Sequence, residues 1–326
     1  MTSHFIRLRS IKLLSTQLLS TTLAIITTAT LLSAQPPQPP QQSSSTSYPR
    51  TDEQRAWNKP FEPFRIIGPI HYVGTADLAS YLITSDAGHI LLDSGLESNA
   101  AQLIASIEKL GFRLRDIKVI LNSQSHFDHA AGLAEIKKRS GARLLASAKD
   151  TIVLEAGGKN DPAFGNELQF PAVKVDGPIA DGQVVTVGPN ALTAHLTPGH
   201  TPGTTTWTMT VRDSAPGAGG SNSSAGNASA ATTGRDYRVV FVGSMTVILE
   251  KLDTPTYPEA RADFERTFKT LKALQPDIFL AQHAGIFGLA DKYARLKAGA
   301  TPNPFIDPEG YPKVIARYEE AYRKHP

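Results

Sequence analysis

The chain has 326 residues, 40% of them hydrophobic, with 33 basic against 30 acidic side chains and no cysteine. Three basic and no acidic residues fall in the first 34 positions, so the remainder holds 30 of each sign, and overall charge gives no case for nucleic-acid binding. The lack of cysteine excludes disulfides and a lipid attached through an N-terminal cysteine, and leaves stability to the packed core.

In chain order, residues 1–34 read as a secretory signal peptide: Arg7, Arg9 and Lys12 precede a mainly apolar stretch from Leu13 to Leu32, with cleavage expected near Ser33-Ala34. A periplasmic or secreted protein follows, with a retained membrane anchor as the alternative. Residues 35–50, rich in Pro, Gln and Ser, read as a disordered spacer. Residues 51–326 suit one large α/β domain.

Within that domain, strand signals fall at Ile66–Val73, Ser80–Thr84, His89–Asp93, Val119–Leu121, Arg143–Ser147, Val184–Val187, Leu192–Leu196, Thr204–Val211, Tyr237–Val242 and Asp277–Ala281. One helix is expected to start from Ser98 as a cap, with Leu103, Ile104, Ile107 and Leu110 on one face before Gly111. A helical pattern begins at Ala130, and a late helix opens at Pro258 and buries Phe264, Phe268 and Leu271. Residues 214–234, almost entirely Ala, Gly, Ser, Asn and Thr, read as a flexible low-complexity insertion between two strands.

The chemistry concentrates in three segments. Gln124-Ser125-His126-Phe127-Asp128-His129 follows the apolar run Ile117–Leu121, which places metal-ligating side chains on a strand-to-helix turn. Thr197-Pro198-Gly199-His200-Thr201-Pro202-Gly203 sets a histidine in a turn bent by glycines and prolines. His283 closes a further strand. Together they supply four histidines, an aspartate and a glutamine. Of the other histidines, His4 lies in the leader and His325 in the tail, and His71, His89 and His195 are read as structural. Asp93 closes an apolar strand, where it can orient the ligand loop or cap the turn before Ser94-Gly95.

Taken together, Leu91-Leu92-Asp93-Ser94-Gly95, the ligand run, the Thr-Pro-Gly-His-Thr-Pro-Gly turn and His283 resemble the metallo-β-lactamase superfamily. Within it they resemble class B β-lactamases of the third subclass, from about Phe64 to about Lys297. The resemblance implies a four-layer αββα sandwich and two zinc ions. Gln124, His126 and His200 would hold the first ion, and Asp128, His129 and His283 the second. Gln124 stands where a histidine is commoner, and an amide oxygen is the weaker zinc donor, so the second site is expected to fill first. Ser244 stands where glyoxalase II and lactonase relatives usually carry a bridging aspartate, and where the first two lactamase subclasses use cysteine. There it is expected to hydrogen-bond metal-bound water.

The implied activity is zinc-dependent hydrolysis of the β-lactam amide of penicillins, cephalosporins or carbapenems by metal-bound hydroxide, with Asp128 and Ser244 in the catalytic machinery. The alternatives are a lactone or thioester hydrolase of the same fold and a secreted, non-enzymatic zinc-binding protein. The expected partner is a small-molecule β-lactam. Glu155–Gly165 resembles the mobile loop beside the family pocket, and Trp57, Phe61 and Thr246 are candidate substrate contacts.

Overall fold

The computed structural model describes residues 55, 57–213, 234–248 and 252–324. The leader, the spacer and nearly all of the low-complexity insertion lie outside the described residues.

Twelve strands form two sheets among the described residues. The first is seven-stranded in sequential order: β1 (Phe64–Ile67), β2 (Ile70–Tyr72), β3 (Tyr81–Ile83), β4 (His89–Leu92), β5 (Ile117–Leu121), β6 (Arg143–Ser147) and β7 (Gly177–Ile179). Its first four strands run antiparallel, and β4 to β7 pair in parallel. The second sheet orders β12 (Ile278–Ala281), β11 (Arg235–Val242), β10 (Thr205–Asp213), β9 (Asn190–Leu196) and β8 (Val184–Val187).

Side-chain alternation along the central strands explains the layering. Ile90 and Leu92 of β4, Leu121 of β5 and Leu145 of β6 enter one core, shared with Leu192, Trp207 and Phe241 of the second sheet. Their neighbours Leu91, Ile120 and Leu144 enter the other core, against Leu103, Ile104 and Ile107 of the helix Ala100–Lys109 and Leu133 and Ile136 of the helix Leu133–Ser140. A period of two therefore buries both faces of these strands at their centres, which is why Ile90–Leu92, Val119–Leu121 and Leu144–Ala146 read as short apolar runs. Beyond the second sheet, Phe264, Phe268 and Leu271 of the helix Ala260–Ala273 pack with Tyr311, Ile315 and Tyr322 of the helix Gly310–Arg323. Helices thus lie outside two stacked sheets, in agreement with the expected αββα sandwich.

Four local readings need correction. Ile66–Val73 is a hairpin, because Gly68 takes a left-handed φ of 47° before Pro69 and turns the chain between β1 and β2. Ser98 caps no helix: it lies in a 3-10 turn, Glu97–Asn99, and its hydroxyl donates to Asn58 Oδ1. The turn is closed by Asn99, whose Oδ1 accepts the Leu96 N–H. Pro258 precedes a helix that begins at Ala260. Finally, Glu155 and Ala156 still belong to the helix Ala148–Ala156, so the loop at the site starts at its left-handed cap, Gly157.

Candidate metal centre

The ligand segments emerge at the carboxyl ends of strands, the usual place for a site in sheets with parallel strands. β5 ends at Leu121 and leads into residues 122–126, after which His126 begins a short helix, Phe127–Ala130. The His126 carbonyl accepts the N–H groups of His129 and Ala130 at 3.0 Å each, which sets Asp128 and His129 in the first helical turn. Ser123 O accepts the N–H of Thr205 at 2.8 Å, joining this run to the start of β10 in the other sheet. His200 arrives from the β9–β10 turn, and His283 follows β12.

Asp128, His129 and His283 converge so that one ligand atom from each lies within 4.8 Å of the others. His129 Nε2 is 3.2 Å and His283 Nε2 3.4 Å from Asp128 Oδ2. His129 is fully buried, and neither of its ring nitrogens has a hydrogen-bond partner among the described residues. A buried nitrogen left unsatisfied calls for an explanation, and a cation shared with Asp128 and His283 supplies one. These three residues fit a divalent metal ion.

The second imidazole pair lies alongside. His126 Nδ1 is 3.0 Å from His200 Nε2, which turns these two nitrogens toward one another. His200 Nδ1, on the far side of its ring, donates to the backbone carbonyl of Thr246 at 2.7 Å. Burial, with the neighbouring His126, lowers His200 to about 3, and burial lowers His126 to about 4. Both are neutral lone-pair donors at neutral pH, as a metal requires. Gln124 is buried beside them, and its Oε1 accepts the His126 N–H at 3.1 Å.

The electrostatics of the Asp128 side differ. Burial opposes charge on Asp128, yet His129 and His283 hold its carboxyl well below the usual range. Burial likewise opposes charge on His283, but hydrogen bonds with Asp128 and Asp77 raise it to about 10. Two carboxylates flanking one imidazole thus create a field that favours a positive charge at this spot.

Asp77, which the sequence reading missed, is the strongest of the supporting residues. Its Oδ2 accepts from His283 Nδ1 at 2.7 Å and its Oδ1 from the Gly285 N–H at 3.2 Å, leaving His283 Nε2 facing Asp128. Asp93 acts on the loop and touches no candidate ligand through a hydrogen bond. Its Oδ1 accepts the Ser123 N–H at 2.8 Å and Asn122 Nδ2 at 3.2 Å, and its Oδ2 accepts the Ser123 hydroxyl. It holds a left-handed φ of 60°, unusual for a residue with a side chain, and burial raises it to about 6.

The His200 turn is anchored by Asp150, also unforeseen. Asp150 accepts the Thr201 hydroxyl and the Gly203 N–H, each at 3.0 Å. From the other side, Thr267 Oγ1 donates to Pro198 O at 2.6 Å. In the sequence Asp150 shows only as part of a Ser147-x-x-Asp150 helix start, in which the Ser147 hydroxyl accepts the Asp150 N–H at 3.2 Å.

Of the remaining candidates, Ser244 is buried at the end of β11, where its hydroxyl accepts the Thr246 N–H at 3.4 Å. Thr246 enters through its carbonyl on His200, and the residue is exposed. The ring centroid of Trp57 lies 5.9 Å from that of His283 and 6.0 Å from that of Phe127. Phe61, expected at the pocket rim, instead has its ring contacts with Phe64, Tyr72 and Tyr293 and packs against the inter-sheet core. His195 is structural as expected, with Nε2 2.8 Å from Thr208 Oγ1. His71 and His89 pack edge-on against Phe112.

Comparison with known proteins gives the family. The family model of the metallo-beta-lactamase superfamily matches residues 78–211. Native FEZ-1 metallo-beta-lactamase from Legionella gormanii is 41% identical, with 82% of this chain and 95% of that one covered and a TM-score of 0.74. BJP-1, a subclass B3 metallo-beta-lactamase of Bradyrhizobium japonicum, is 39% identical, with 83% and 95% covered and a TM-score of 0.73. A hydroxyacylglutathione hydrolase of Methylobacterium nodulans is 30% identical over 132 residues, 38% of this chain and 44% of that protein. The chain spans about half the length of the curated relatives it matches. It belongs to the metallo-β-lactamase superfamily, and Asp128, His129 and His283 form a group that could hold a metal ion.

Proposed function

We propose that the protein is a zinc-dependent β-lactamase that opens the four-membered amide ring of penicillins, cephalosporins or carbapenems. The observation that carries this reading is the extent of likeness: about two-fifths identity across 95% of each of two β-lactamase structures, against 30% identity across 44% of a hydroxyacylglutathione hydrolase. Ser244 at the end of β11 supports it, because the thioester and lactone relatives usually carry an aspartate there.

Gln124, His126 and His200 would hold one zinc, and Asp128, His129 and His283 the other. When bound, the ions supply Lewis acidity and a water nucleophile active at neutral pH. The residues then divide the remaining work. Asp128 stays ionised, held so by two imidazoles, and can accept or orient the proton of a water beside it. Asp77 and the Thr246 carbonyl fix which nitrogens of His283 and His200 face the shared space. Trp57 supplies an apolar wall next to His283, and Thr246 offers a hydroxyl to a substrate carboxylate. We assign the second triad as the tighter zinc site, since it has an anionic donor where the first has an amide. The leader pattern of residues 1–34 supports work in the periplasm or outside the cell, where small β-lactams are met.

Steady-state assays of the zinc-loaded protein against a β-lactam panel, an acyl-lactone and a glutathione thioester test the proposal, with chelation and Asp128→Ala as controls. β-Lactam turnover lost in both controls is expected. Thioester turnover without β-lactam turnover would favour the second reading, which rests on the hydroxyacylglutathione hydrolase matches. Zinc binding with no turnover of any substrate would favour a zinc-binding protein.

A further inference from the structure

We propose that Asp161 is a positioning residue for His126, so that order in the loop over the site and retention of metal at the Gln124, His126 and His200 site are one property. The inference rests on the two-zinc reading above and concerns this chain's own loop.

His126 uses Nδ1 toward His200, which leaves Nε2 on the opposite edge of its ring. There it meets Asp161 Oδ2 at 3.8 Å, and both residues are buried. The other carboxylate oxygen is already committed: Asp161 Oδ1 accepts the N–H groups of Ala163 at 2.8 Å and Phe164 at 2.9 Å. Reciprocal backbone bonds between Asp161 and Gly165, at 2.9 and 2.7 Å, close the same turn. That turn delivers a second side chain to the same imidazole, because the Phe164 ring stands edge-on to His126 with centroids 4.9 Å apart. Carboxylate and aromatic ring thus arrive on one turn, the ring edge-on to His126 and the carboxylate facing its Nε2.

The tautomer matters chemically. A carboxylate facing Nε2 keeps the proton there and leaves Nδ1 as the lone pair, and it makes that lone pair more basic. A site whose third donor is an amide has more to gain from this than one with three imidazoles. The loop is accordingly a brace on the first metal site.

Chelator-competition titration of zinc and the visible spectrum of the cobalt(II) form separate the possibilities, using wild type, Asp161→Asn and Asp161→Ala. Asparagine keeps an oxygen for the turn but removes the charge. A 10- to 100-fold weaker first site in Asp161→Asn, with the second unchanged, is the expected loss of a residue that orients a ligand. Asp161→Ala should lose more, since the turn also opens, and thermal unfolding would show that both variants are folded. Two wild-type-like affinities and an unchanged cobalt spectrum in both variants would overturn the role of Asp161. Wild-type protein that takes up no zinc would instead overturn the metal reading itself.

Discussion

Asp77 and His283 stand 206 positions apart in sequence, yet Asp77 Oδ2 and His283 Nδ1 are joined by a 2.7 Å hydrogen bond. The bond links the segment between β2 and β3 in the first sheet to the end of the second, next to a backbone bridge between Leu78 and His283. Asp77→Ala should weaken zinc at the second site by about 10- to 100-fold, as loss of a ligand's hydrogen-bond partner does. Asp77→Asn, which can still accept from Nδ1, should lose less. Competition with a zinc chelator measures both.

Gly203 leaves no room for a side chain. A Cβ there would lie 2.6 Å from the backbone nitrogen of Asp150 and closer still to Ser147 Oγ. Gly203→Ala should therefore push the His200 turn away from its anchor and cost about 1–3 kcal/mol, as overpacking does. Urea unfolding gives the stability, and zinc titration should show the first site weakened with it.

Burial raises Asp150 to about 7, above its unfolded value of 3.8. A raised carboxyl adds stability that is fully present below the unfolded value and lost as pH climbs through the folded one. Relative to Asp150→Asn, wild type should gain melting temperature as pH falls from 8 to 5. The difference between the two proteins is the measurement, because buried His71 and His89 and half-buried His195, all lowered by desolvation, act with the opposite sign below pH 6.5 in both.

Zinc should stabilise the fold through Asp128, His129 and His283. At a free concentration about 100-fold above the dissociation constant, binding to the native state alone adds about 2.7 kcal/mol. Chelation should remove that increment, and Asp128→Ala should never show it. Thermal scans with and without zinc test this.

Gln124→His should let two ions bind at lower free zinc than wild type requires, since imidazole is the stronger donor. The buried Gln124 oxygen also accepts the His126 N–H, so the variant must be checked for its unfolding midpoint as well. Unchanged stoichiometry across a zinc titration would count against a ligand role for Gln124.

The candidate ligands were legible because Gln124 to His129 are contiguous and because His200 sits in a turn with an unmistakable glycine and proline spacing. Apolar runs gave away β4, β5 and β6, where Ile90–Leu92, Val119–Leu121 and Leu144–Ala146 are buried on both faces. Asp77, Asp150 and Asp161 were not legible as supports. Each works through a contact made only after the sheets stack or a loop folds back, and in sequence each looks like an ordinary loop or helix-start aspartate. β7, Gly177-Pro178-Ile179, carries no strand pattern at all and exists because β6 offers it an edge. Phe61 misled because its position before β1 says nothing of which way its ring turns.

The centre draws His126, Asp128 and His129 from one sheet and His200 and His283 from the other. A bound cation therefore acts as a rivet through the sandwich, and any slip of one sheet over the other would shear it. Catalytic competence and cohesion of the two halves should consequently vanish at the same point in an unfolding titration, with no intermediate that retains one without the other.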